Sequence, residues 1–187
     1  MGQAALSAQA DPERTLDMGH EPLPPLVVMG VSGCGKSTMG SLLGERLGLP
    51  FQDGDDLHPA ANKAKMGAGI PLDDNDRRPW LEEIGRSLRQ SQDAGEPLII
   101  ACSALKRSYR DLLRQHAPDV VFVHLTGDRE TLVARLNARD HEFMPSSLLD
   151  SQLSTLEPLT SEEKHVLADF RLAPPLLVDG ICERLRA

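Results

Sequence analysis

The sequence predicts an α/β protein with a three-layer, doubly wound and mainly parallel sheet. Two observations predict this fold class. From residue 26 onward, short apolar runs of strand length alternate with longer segments of helical length. The first of these runs, residues 26–29, is apolar throughout, as expected of a strand that is buried on both faces of a parallel sheet. Strands that alternate with helices are the pattern from which parallel α/β sheets are built.

The predicted elements follow one another in a regular order. The helix after the first strand begins near residue 36 and ends at Gly48, a residue type that commonly terminates helices. A polar stretch at 139–146 interrupts the pattern. The further predicted strands are at 51–53, 98–102, 120–125 and 166–170. The further predicted helices are at 59–66, 77–93, 105–116 and 129–138, in a segment that ends near 156, and at 174–185.

Length and composition favour a single domain with one sizeable core, since the chain has 187 residues and 40% hydrophobic content. Residues 1–24 show no periodicity, so we expect a flexible extension there and the domain at 25–187. A formal charge of −8 argues against a nucleic-acid partner, whose binding needs clustered Lys and Arg. It does not argue against an anionic small molecule, because a few cations converging on one pocket can dominate its local field.

Hydropathy and cysteine spacing predict a cytoplasmic protein without a membrane partner. No run approaches the roughly 18 apolar residues of a membrane span. The first two dozen residues lack a basic region followed by an apolar one. The three cysteines, Cys34, Cys102 and Cys182, have no CxxC spacing, which favours reduced thiols over disulfides or a zinc site.

A glycine-rich motif lies between the first strand and the first helix. Residues 30–37 match G-x-x-x-x-G-K-[ST] in full. In such a loop, backbone N–H groups surround the β-phosphate and the helix N-terminus adds partial positive charge. Lys36 would bridge the β- and γ-phosphates of ATP, and the Ser37 hydroxyl would bind Mg²⁺. The predicted nucleotide-binding residues are Gly30, Ser32, Gly33, Cys34, Gly35, Lys36, Ser37 and Thr38.

Other motifs narrow the class of nucleotide-binding protein. Guanine-nucleotide switches usually carry N-K-x-D, and the nearest run here, residues 62–65, lacks the aspartate. A motor or transporter ATPase would have an apolar strand that ends in Asp, whereas the strand at 98–102 is followed by Ser103. A small-molecule kinase remains as the best-supported class.

Two carboxylates follow the second predicted strand. Asp53 and Asp55 lie at its carboxyl end, the edge at which open α/β sheets bind ligands. Their spacing of two places both side chains on the same side of an extended chain. We assign Asp55 to the acceptor hydroxyl, whose proton it would take, and Asp53, with Ser37, to the metal. The alternative is a solvated acidic turn, since Asp and Gly favour turns.

Three cations are candidates for binding an acidic substrate. We place His58, Arg77 and Lys106 around the substrate, with Ser103 facing it from a strand end, because Arg and Lys pair well with carboxylates. His58 could instead be an ordinary residue at a helix start, and Lys106 a solvated helix residue. Arg77 could be paired with the aspartates around it, and Arg78 competes with it for the role. Trp80, the single tryptophan, is predicted to be a packing anchor.

A lid is predicted over residues 135–146. A phosphoryl-transfer enzyme must exclude water from its site, and a mobile segment that carries arginines can do so. Arg135 and Arg139 are spaced i, i+4 at the end of a predicted helix, so both project from one face. We predict that they contact the phosphates and stabilise the transition state. The alternative is a solvated helix face.

The chain resembles the gluconokinase family from the phosphate loop to about Pro158. The runs that carry the resemblance are 53–59, Asn62, 65–66, 69–72, Asp74, 76–81, 102–106, 109–111, 150–153 and 156–158. The resemblance implies a shikimate-kinase-like branch of the nucleoside-monophosphate-kinase folds. It also implies ATP and D-gluconate as substrates, 6-phosphogluconate as product, and a homodimer. The chain departs from the family at the lid tip, where Gly-His-Phe is common and Asp140-His141-Glu142 stands here. We therefore assign His141 and Glu142 no role.

Two other functions stay open at this point. One is a kinase for another small polyol or sugar acid, such as shikimate, and the other is a nucleotide-dependent binding switch without transfer activity. A separate hypothesis concerns Cys34, which lies near a helix N-terminus, where the pKa of a thiol can fall and oxidation becomes easier. Oxidation there would block ATP binding. The simpler alternative is a small residue tolerated at a variable position.

Overall fold

A computed structural model describes residues 23–138 and 146–186. Within them, five strands form one sheet in which every pairing is parallel. The strands are β1 (Leu26–Met29), β2 (Phe51–Asp53), β3 (Ile99–Ala101), β4 (Val121–Thr126) and β5 (His165–Asp169). Their order is β2-β3-β1-β4-β5, so that β1 lies at the centre. The predicted fold class is confirmed.

Helices cover both faces of this sheet. They are α1 (Lys36–Leu47), α2 (Ala60–Gly67), α3 (Asp74–Asp93), α4 (Arg107–His116), α5 (Arg129–Asn137), α6 (Ser146–Thr155) and α7 (Pro174–Leu185). Alternate residues of β1 belong to two separate buried clusters, as the period of two in a strand requires. Leu26 and Val28 pack with α1, α5, α6 and α7, while Val27 and Met29 pack with α3 and α4. These are the two outer layers of the three-layer fold.

Two helix starts differ from the predicted ones. The third helix begins at Asp74 and not at 77, because Asp73 caps it and forms a reciprocal capping box with Asp76. The fourth begins at Arg107 and not at 105, because the chain after β3 turns through Ala104, whose φ of 44° is left-handed. Both differences matter for function, since α3 begins three residues before Arg77 and α4 begins directly after Lys106.

The remaining general predictions concern the cysteines, membrane helices and domain bounds. The three cysteines are free and buried, and their reduced state stays a prediction. Over the ranges 23–138 and 146–186, the chain contains no helix of the length and apolarity that crossing a membrane requires. Residues 1–22 lie outside the described residues, so the extension at 1–24 and the single domain at 25–187 stay predictions.

Candidate active site

The candidate site lies at the carboxyl edge of the sheet, where three neighbouring strands end. The phosphate loop follows β1, Asp53 ends β2, and the segment 102–106 follows β3. Because the three strands are parallel and adjacent, their carboxyl ends meet at one edge. A backbone hydrogen bond joins two of these segments directly, from Gly30 N to Ser103 O at 3.4 Å. The sequence-predicted residues on these three segments are therefore brought together.

The phosphate loop has the backbone that its glycines predict. Gly30 has a φ of 141°, and a Cβ there would lie 2.9 Å from the Cys34 sulfur and 3.0 Å from the Leu125 carbonyl oxygen. Gly35 has a φ of 95° immediately before α1, where a side chain would be strained. The Lys36 amine donates a hydrogen bond to the Val31 carbonyl, 3.2 Å away. The loop is thus curled around the amine at the N-terminus of α1, as a phosphate site requires.

Ser37, in the first turn of α1, contacts Asp53, at the end of β2. The Ser37 hydroxyl donates to one Asp53 carboxylate oxygen at 2.5 Å, and the other oxygen accepts the Asp55 N–H at 3.1 Å. Asp53 thereby caps the short 3₁₀ helix Gly54–Leu57. The alternative of an acidic turn accounts for this cap but not for the contact with the phosphate loop.

The oxygens of Ser37 and Asp53 fit Mg²⁺. This ion prefers hard oxygen ligands and commonly keeps several waters while binding one or two protein groups and substrate phosphates. Among the residues with described positions, no cluster of three or more His, Cys, Asp or Glu side chains could hold a metal. The pair is therefore suited to an ion that is shared with a nucleotide, and not to an ion enclosed by protein ligands alone.

Asp55 presents its carboxylate to solvent at the mouth of the site. Its side chain is 83% exposed, and one of its oxygens lies 3.9 Å from Nε2 of His58. That distance is too long for a hydrogen bond, but it places the imidazole edge beside the carboxylate. Asp55 thus combines exposure with a position two residues beyond the Ser37–Asp53 contact.

His58 is a neutral residue of the site, and the prediction that it is a cation is wrong. The residue is 7% exposed, and its ring stacks on Trp80 with ring centroids 4.1 Å apart. Burial, with smaller contributions from Arg77 and Lys63, lowers its pKa to about 4. The Asn62 amide lies 3.3 Å from Nδ1 and, as a donor there, assigns the ring proton to Nε2. An N–H therefore faces Asp55.

Trp80 has the structural role that the sequence predicted. Its side chain is buried, and its indole N–H donates to the Gly54 carbonyl at 2.7 Å. This bond ties α3 to the 3₁₀ helix that carries Asp55. Trp80 therefore packs beneath the acidic turn and also carries the stacked ring of His58.

Lys106 is bound by a residue that was not among the predicted site residues. Its amine contacts both carboxylate oxygens of Asp74 at 2.8 Å, and the Tyr109 hydroxyl donates to the same carboxylate. These two hydrogen bonds hold the pKa of Asp74 below its usual range. The alternative of a solvated helix residue is wrong for Lys106, since it precedes α4 and is paired. Asp74 and Tyr109 both lie in runs that resemble the gluconokinases, which was the available signal.

Arg77 lies one helical turn inside α3, beside the same cluster. Its guanidinium donates to the Leu72 carbonyl. The acidic neighbours have other partners: Asp76 binds Lys65 at 2.6 Å, and Asp74 binds Lys106. The alternative that Arg77 is simply ion-paired with these aspartates is therefore not supported. The competing choice, Arg78, pairs with Glu82 on the exposed face of α3, at 3.1 Å.

The segment that carries Ser103 and Lys106 is held from behind by a buried ion pair. Arg110 and Glu163 are both inaccessible to solvent, with Nε 2.5 Å from the carboxylate. The same guanidinium donates to the Ala104 and Leu105 carbonyls, both at 3.1 Å. The left-handed Ala104 is thus stabilised by bonds to a fixed cation. Ser103 itself is half-buried.

Arg135 reaches the phosphate loop from α5. It donates to the Cys34 carbonyl at 3.4 Å and to the Phe170 carbonyl at 2.5 Å, and its guanidinium lies 5.1 Å from the Phe170 ring centroid. The alternative of a solvated helix face is therefore wrong for Arg135. Arg139, His141 and Glu142 lie outside the described residues, as does most of the predicted lid.

The burial of Cys34 contradicts the hypothesis that its thiol is reactive. The residue is 1% exposed. Burial raises the pKa of the thiol, and this outweighs the opposing effects of Lys36 and Arg135. A buried, protonated thiol is a poor nucleophile, so position 34 is better described as a small residue packed beneath the loop.

Comparisons with known proteins agree with this geometry. Residues 26–146 match the AAA domain family. The chain is 44% identical to the gluconokinase of Gluconobacter oxydans, covering 87% of this chain and 91% of the other. It is 46% identical to the thermosensitive gluconokinase of Escherichia coli over 75% of both chains. A crystal structure of a gluconokinase from Sinorhizobium meliloti superposes with a TM-score of 0.80 at 46% identity, covering 89% of this chain and 93% of that one.

A more distant structure shares the fold alone. The shikimate kinase of Aquifex aeolicus superposes with a TM-score of 0.55 at 17% identity, covering 86% of this chain and 95% of that one. Such a likeness supports the three-layer architecture and carries no information on the substrate.

Proposed function

The chain belongs to the AAA domain family and, within it, to the gluconokinases, and from this premise we propose that it phosphorylates D-gluconate. In this reaction the 6-hydroxyl oxygen forms a bond to the γ-phosphorus of ATP. The bond between that phosphorus and the bridging oxygen breaks, and 6-phosphogluconate and ADP leave. The hydroxyl proton passes to a base of the protein.

One observation carries the proposal. A single hydrogen-bonded path runs from the phosphate-loop hydroxyl of Ser37 through the Asp53 carboxylate to the backbone of Asp55. The phosphate-binding loop and an exposed carboxylate are therefore fixed next to each other. A kinase needs this juxtaposition, because catalysis of phosphoryl transfer is mostly the positioning of donor and acceptor.

Asp55 is the proposed base for the acceptor hydroxyl. Its carboxylate is exposed at the mouth of the site, where an acceptor can reach it. The N–H edge of neutral His58 faces Asp55 and offers a hydrogen-bond donor to the carboxylate or to a substrate hydroxyl. His58 therefore contributes to substrate binding through hydrogen bonding and not through charge.

The Ser37 hydroxyl and the Asp53 carboxylate would hold Mg²⁺ together with the nucleotide. When bound, this ion neutralises negative charge that develops on the phosphates. Lys36 contributes a second positive charge at the same phosphates, from the N-terminus of α1. The Mg²⁺ proposal follows from the oxygens of Ser37 and Asp53, which are in contact. The proposal for Lys36 follows from the position of its amine at the phosphate loop.

The carboxylate of gluconate would be bound by Arg77 and Lys106. Arg77 has a planar guanidinium beside the acidic turn, and Lys106 is already oriented by Asp74 and Tyr109. Ser103, two residues after β3, would supply a hydroxyl for the polyol chain. These groups combine charged donors with neutral ones, as a sugar acid requires.

Arg135 would contact the phosphates of ATP, and Arg139 would join it when the predicted lid at 135–146 closes. Arg135 is already at the phosphate loop through the Cys34 carbonyl. A guanidinium in this position can stabilise charge on the transferred group while the lid excludes water. A homodimer stays a prediction of the family resemblance, and a cytoplasmic location stays a prediction of the hydropathy and cysteine spacing.

The test is an ADP-release assay over a panel of sugar acids and polyols that includes gluconate and shikimate. We expect gluconate to be the preferred acceptor. We expect Asp55→Asn to reduce kcat by about a hundredfold or more, the usual contribution of a positioned general base.

Asp56→Asn is the matched control, because Asp56 lies in the same 3₁₀ helix and is exposed. It should retain wild-type activity. A preference for shikimate would contradict the proposed acceptor, and nucleotide binding without turnover of any acceptor would indicate a binding switch. Unimpaired phosphorylation of gluconate by Asp55→Asn would remove the base assignment.

A further inference from the structure

Gln152 makes two hydrogen bonds to a residue of the phosphate loop. Its side-chain oxygen accepts the Ser32 N–H at 2.7 Å, and its side-chain nitrogen donates to the Ser32 hydroxyl oxygen at 3.3 Å. The two residues are 120 positions apart in the chain. Gln152 lies on α6, the helix that follows the predicted lid, and it was not among the predicted site residues.

The two bonds restrict how Ser32 can act in the loop. Because the hydroxyl oxygen accepts a bond from Gln152, its own hydrogen remains available for another acceptor. The amide nitrogen has a second hydrogen that the bond to Ser32 does not use. The pair of Gln152 and Ser32 therefore offers two neutral hydrogen-bond donors at the phosphate loop.

The helix that carries Gln152 is itself fixed at several points. Arg129 of α5 binds Asp150 through two bonds, at 2.7 and 3.0 Å. Leu149 is fully buried in the core. Just beyond the helix, Glu157 N donates to the Leu105 carbonyl at 2.9 Å, in the segment that carries Lys106. Gln152 thus extends to the loop from a helix whose following residues contact the acceptor side.

We propose that Gln152 belongs to the nucleotide-binding site. It orients Ser32 and, together with Ser32, binds the terminal phosphate of the nucleotide. The amide stays on Ser32 when the nucleotide binds, and the two remaining hydrogens are directed to the γ-phosphate oxygens. The inference deepens the proposed function, since it requires a nucleoside triphosphate at the phosphate loop.

The opposite role is an outcome of the test. If Gln152 only occupies the phosphate loop in the absence of nucleotide, the nucleotide must displace its side chain. Removal of that side chain would then strengthen nucleotide binding. If Gln152 is a phosphate ligand, its removal weakens binding of a triphosphate and leaves a diphosphate unaffected. The sign of the change therefore separates the two roles.

The experiment measures the affinity of ADP and of a non-hydrolysable ATP analogue by calorimetry, with Mg²⁺ and without any sugar acid. The variants are Gln152→Ala and Gln152→Glu, and the control is Ser151→Ala, an exposed neighbour on the same helix. We expect roughly ten- to hundredfold weaker binding of the analogue to both Gln152 variants, the usual size of a hydrogen bond to a charged group. ADP affinity should stay within about twofold of wild type.

The kinetic readout is a loss of kcat of similar size with an unchanged KM for gluconate. Ser32→Ala in the Gln152→Ala background should add little further loss, because the two residues act as one unit. Tighter binding of both nucleotides, or an unchanged affinity for the analogue, would overturn the proposal. If wild type binds the analogue but phosphorylates no gluconate, the proposed acceptor fails while the role of Gln152 is still decided by the affinities.

Discussion

The donor half of the site, residues 30–37, and the acceptor half, formed by 53–58, 74–77 and 103–106, are fixed in different ways. The donor half is mostly backbone, shaped by glycines at the start of α1. The acceptor half is mostly side chains, fixed by ion pairs and stacking with residues far away in the sequence. A backbone site is specified locally, whereas a side-chain site depends on the complete fold.

The electrostatics of the two halves differ as well. The donor half has an amine at a helix N-terminus, and its Ser37 hydroxyl donates to Asp53, a carboxylate of the acceptor half. In the acceptor half, Lys106 is already neutralised by Asp74, and His58 carries no charge at neutral pH. Activity should therefore be most sensitive to the donor cation, and stability most sensitive to the charges behind the acceptor loop.

The largest effect is expected from Lys36→Met in the donor half. The substitution removes the positive charge that we place at the transferred phosphate, and groups of this kind contribute about a thousandfold to kcat. Stability should stay within about 0.5 kcal/mol of wild type, since the half-buried amine makes one bond to a carbonyl. Steady-state kinetics and urea unfolding are the two measurements. Lys164→Met, at a remote surface pair with Asp119, is the control. Retention of more than a tenth of the activity would contradict the assignment.

The second effect is on stability and concerns the ion pair behind the acceptor loop. Glu163→Gln leaves the fully buried Arg110 without a counter-charge, and breaking such a pair costs about 3 kcal/mol. Glu162→Gln is a matched control, because Glu162 is exposed and pairs with Arg107 at the surface. Urea unfolding compares the two. Equal stability of both variants would show that the buried charge is not needed.

The sequence predicted the elements and segments whose signals are local. The phosphate motif, the alternating strands and the position of Asp53 and Asp55 at a strand end all depend on neighbours within a few residues. The start of α3 was predicted at 77 and lies at Asp74, although the capping-box spacing of Asp73 and Asp76 was a local signal for it.

What the sequence could not predict depends on contacts between distant segments. The neutral state of His58 requires stacking on Trp80 and burial beneath α3. The support of Ala104 requires Glu163, and the restraint on Ser32 requires Gln152. Neither partner of such a pair carries a pattern that identifies the other, so only the fold shows these contacts.

The third prediction concerns pH and two buried histidines, His58 and His124. Burial lowers the pKa of His58 and of His124, on β4, to about 4. An unfolded histidine titrates near 6.5. Because the folded pKa is depressed, the unfolded chain binds the proton first, and stability is lost as pH falls from about 6.5 to 4. Each histidine accounts for about 3 kcal/mol of this loss. Unfolding of wild type and of His58→Gln at pH 7.5 and 4.5 measures it. A pH-independent difference between them would contradict the neutral state.

The fourth prediction sharpens the difference in substrate binding. Lys106→Met removes an acceptor-side cation, so we expect the KM for gluconate to rise about tenfold, the effect of losing one charge-assisted hydrogen bond. The KM for ATP should not change, because Lys106 lies immediately before α4 and not in the phosphate loop. Steady-state kinetics with each substrate varied in turn separates the two constants. An equal rise in both would mean that the two halves are not independent.

The smallest effect is expected at Cys34, inside the donor half. The thiol is buried and burial raises its pKa, so mild peroxide should leave both Cys34 and the activity unchanged. Cys34→Ala should likewise retain activity within about twofold, because the side chain fills space beneath the loop and the phosphate is bound by backbone N–H groups. Alkylation followed by mass spectrometry measures modification of Cys34 in the native protein, and the same reaction in denaturant is the control. Rapid alkylation of native Cys34 would show that the loop opens, and the donor half would then be less rigid than its backbone geometry indicates.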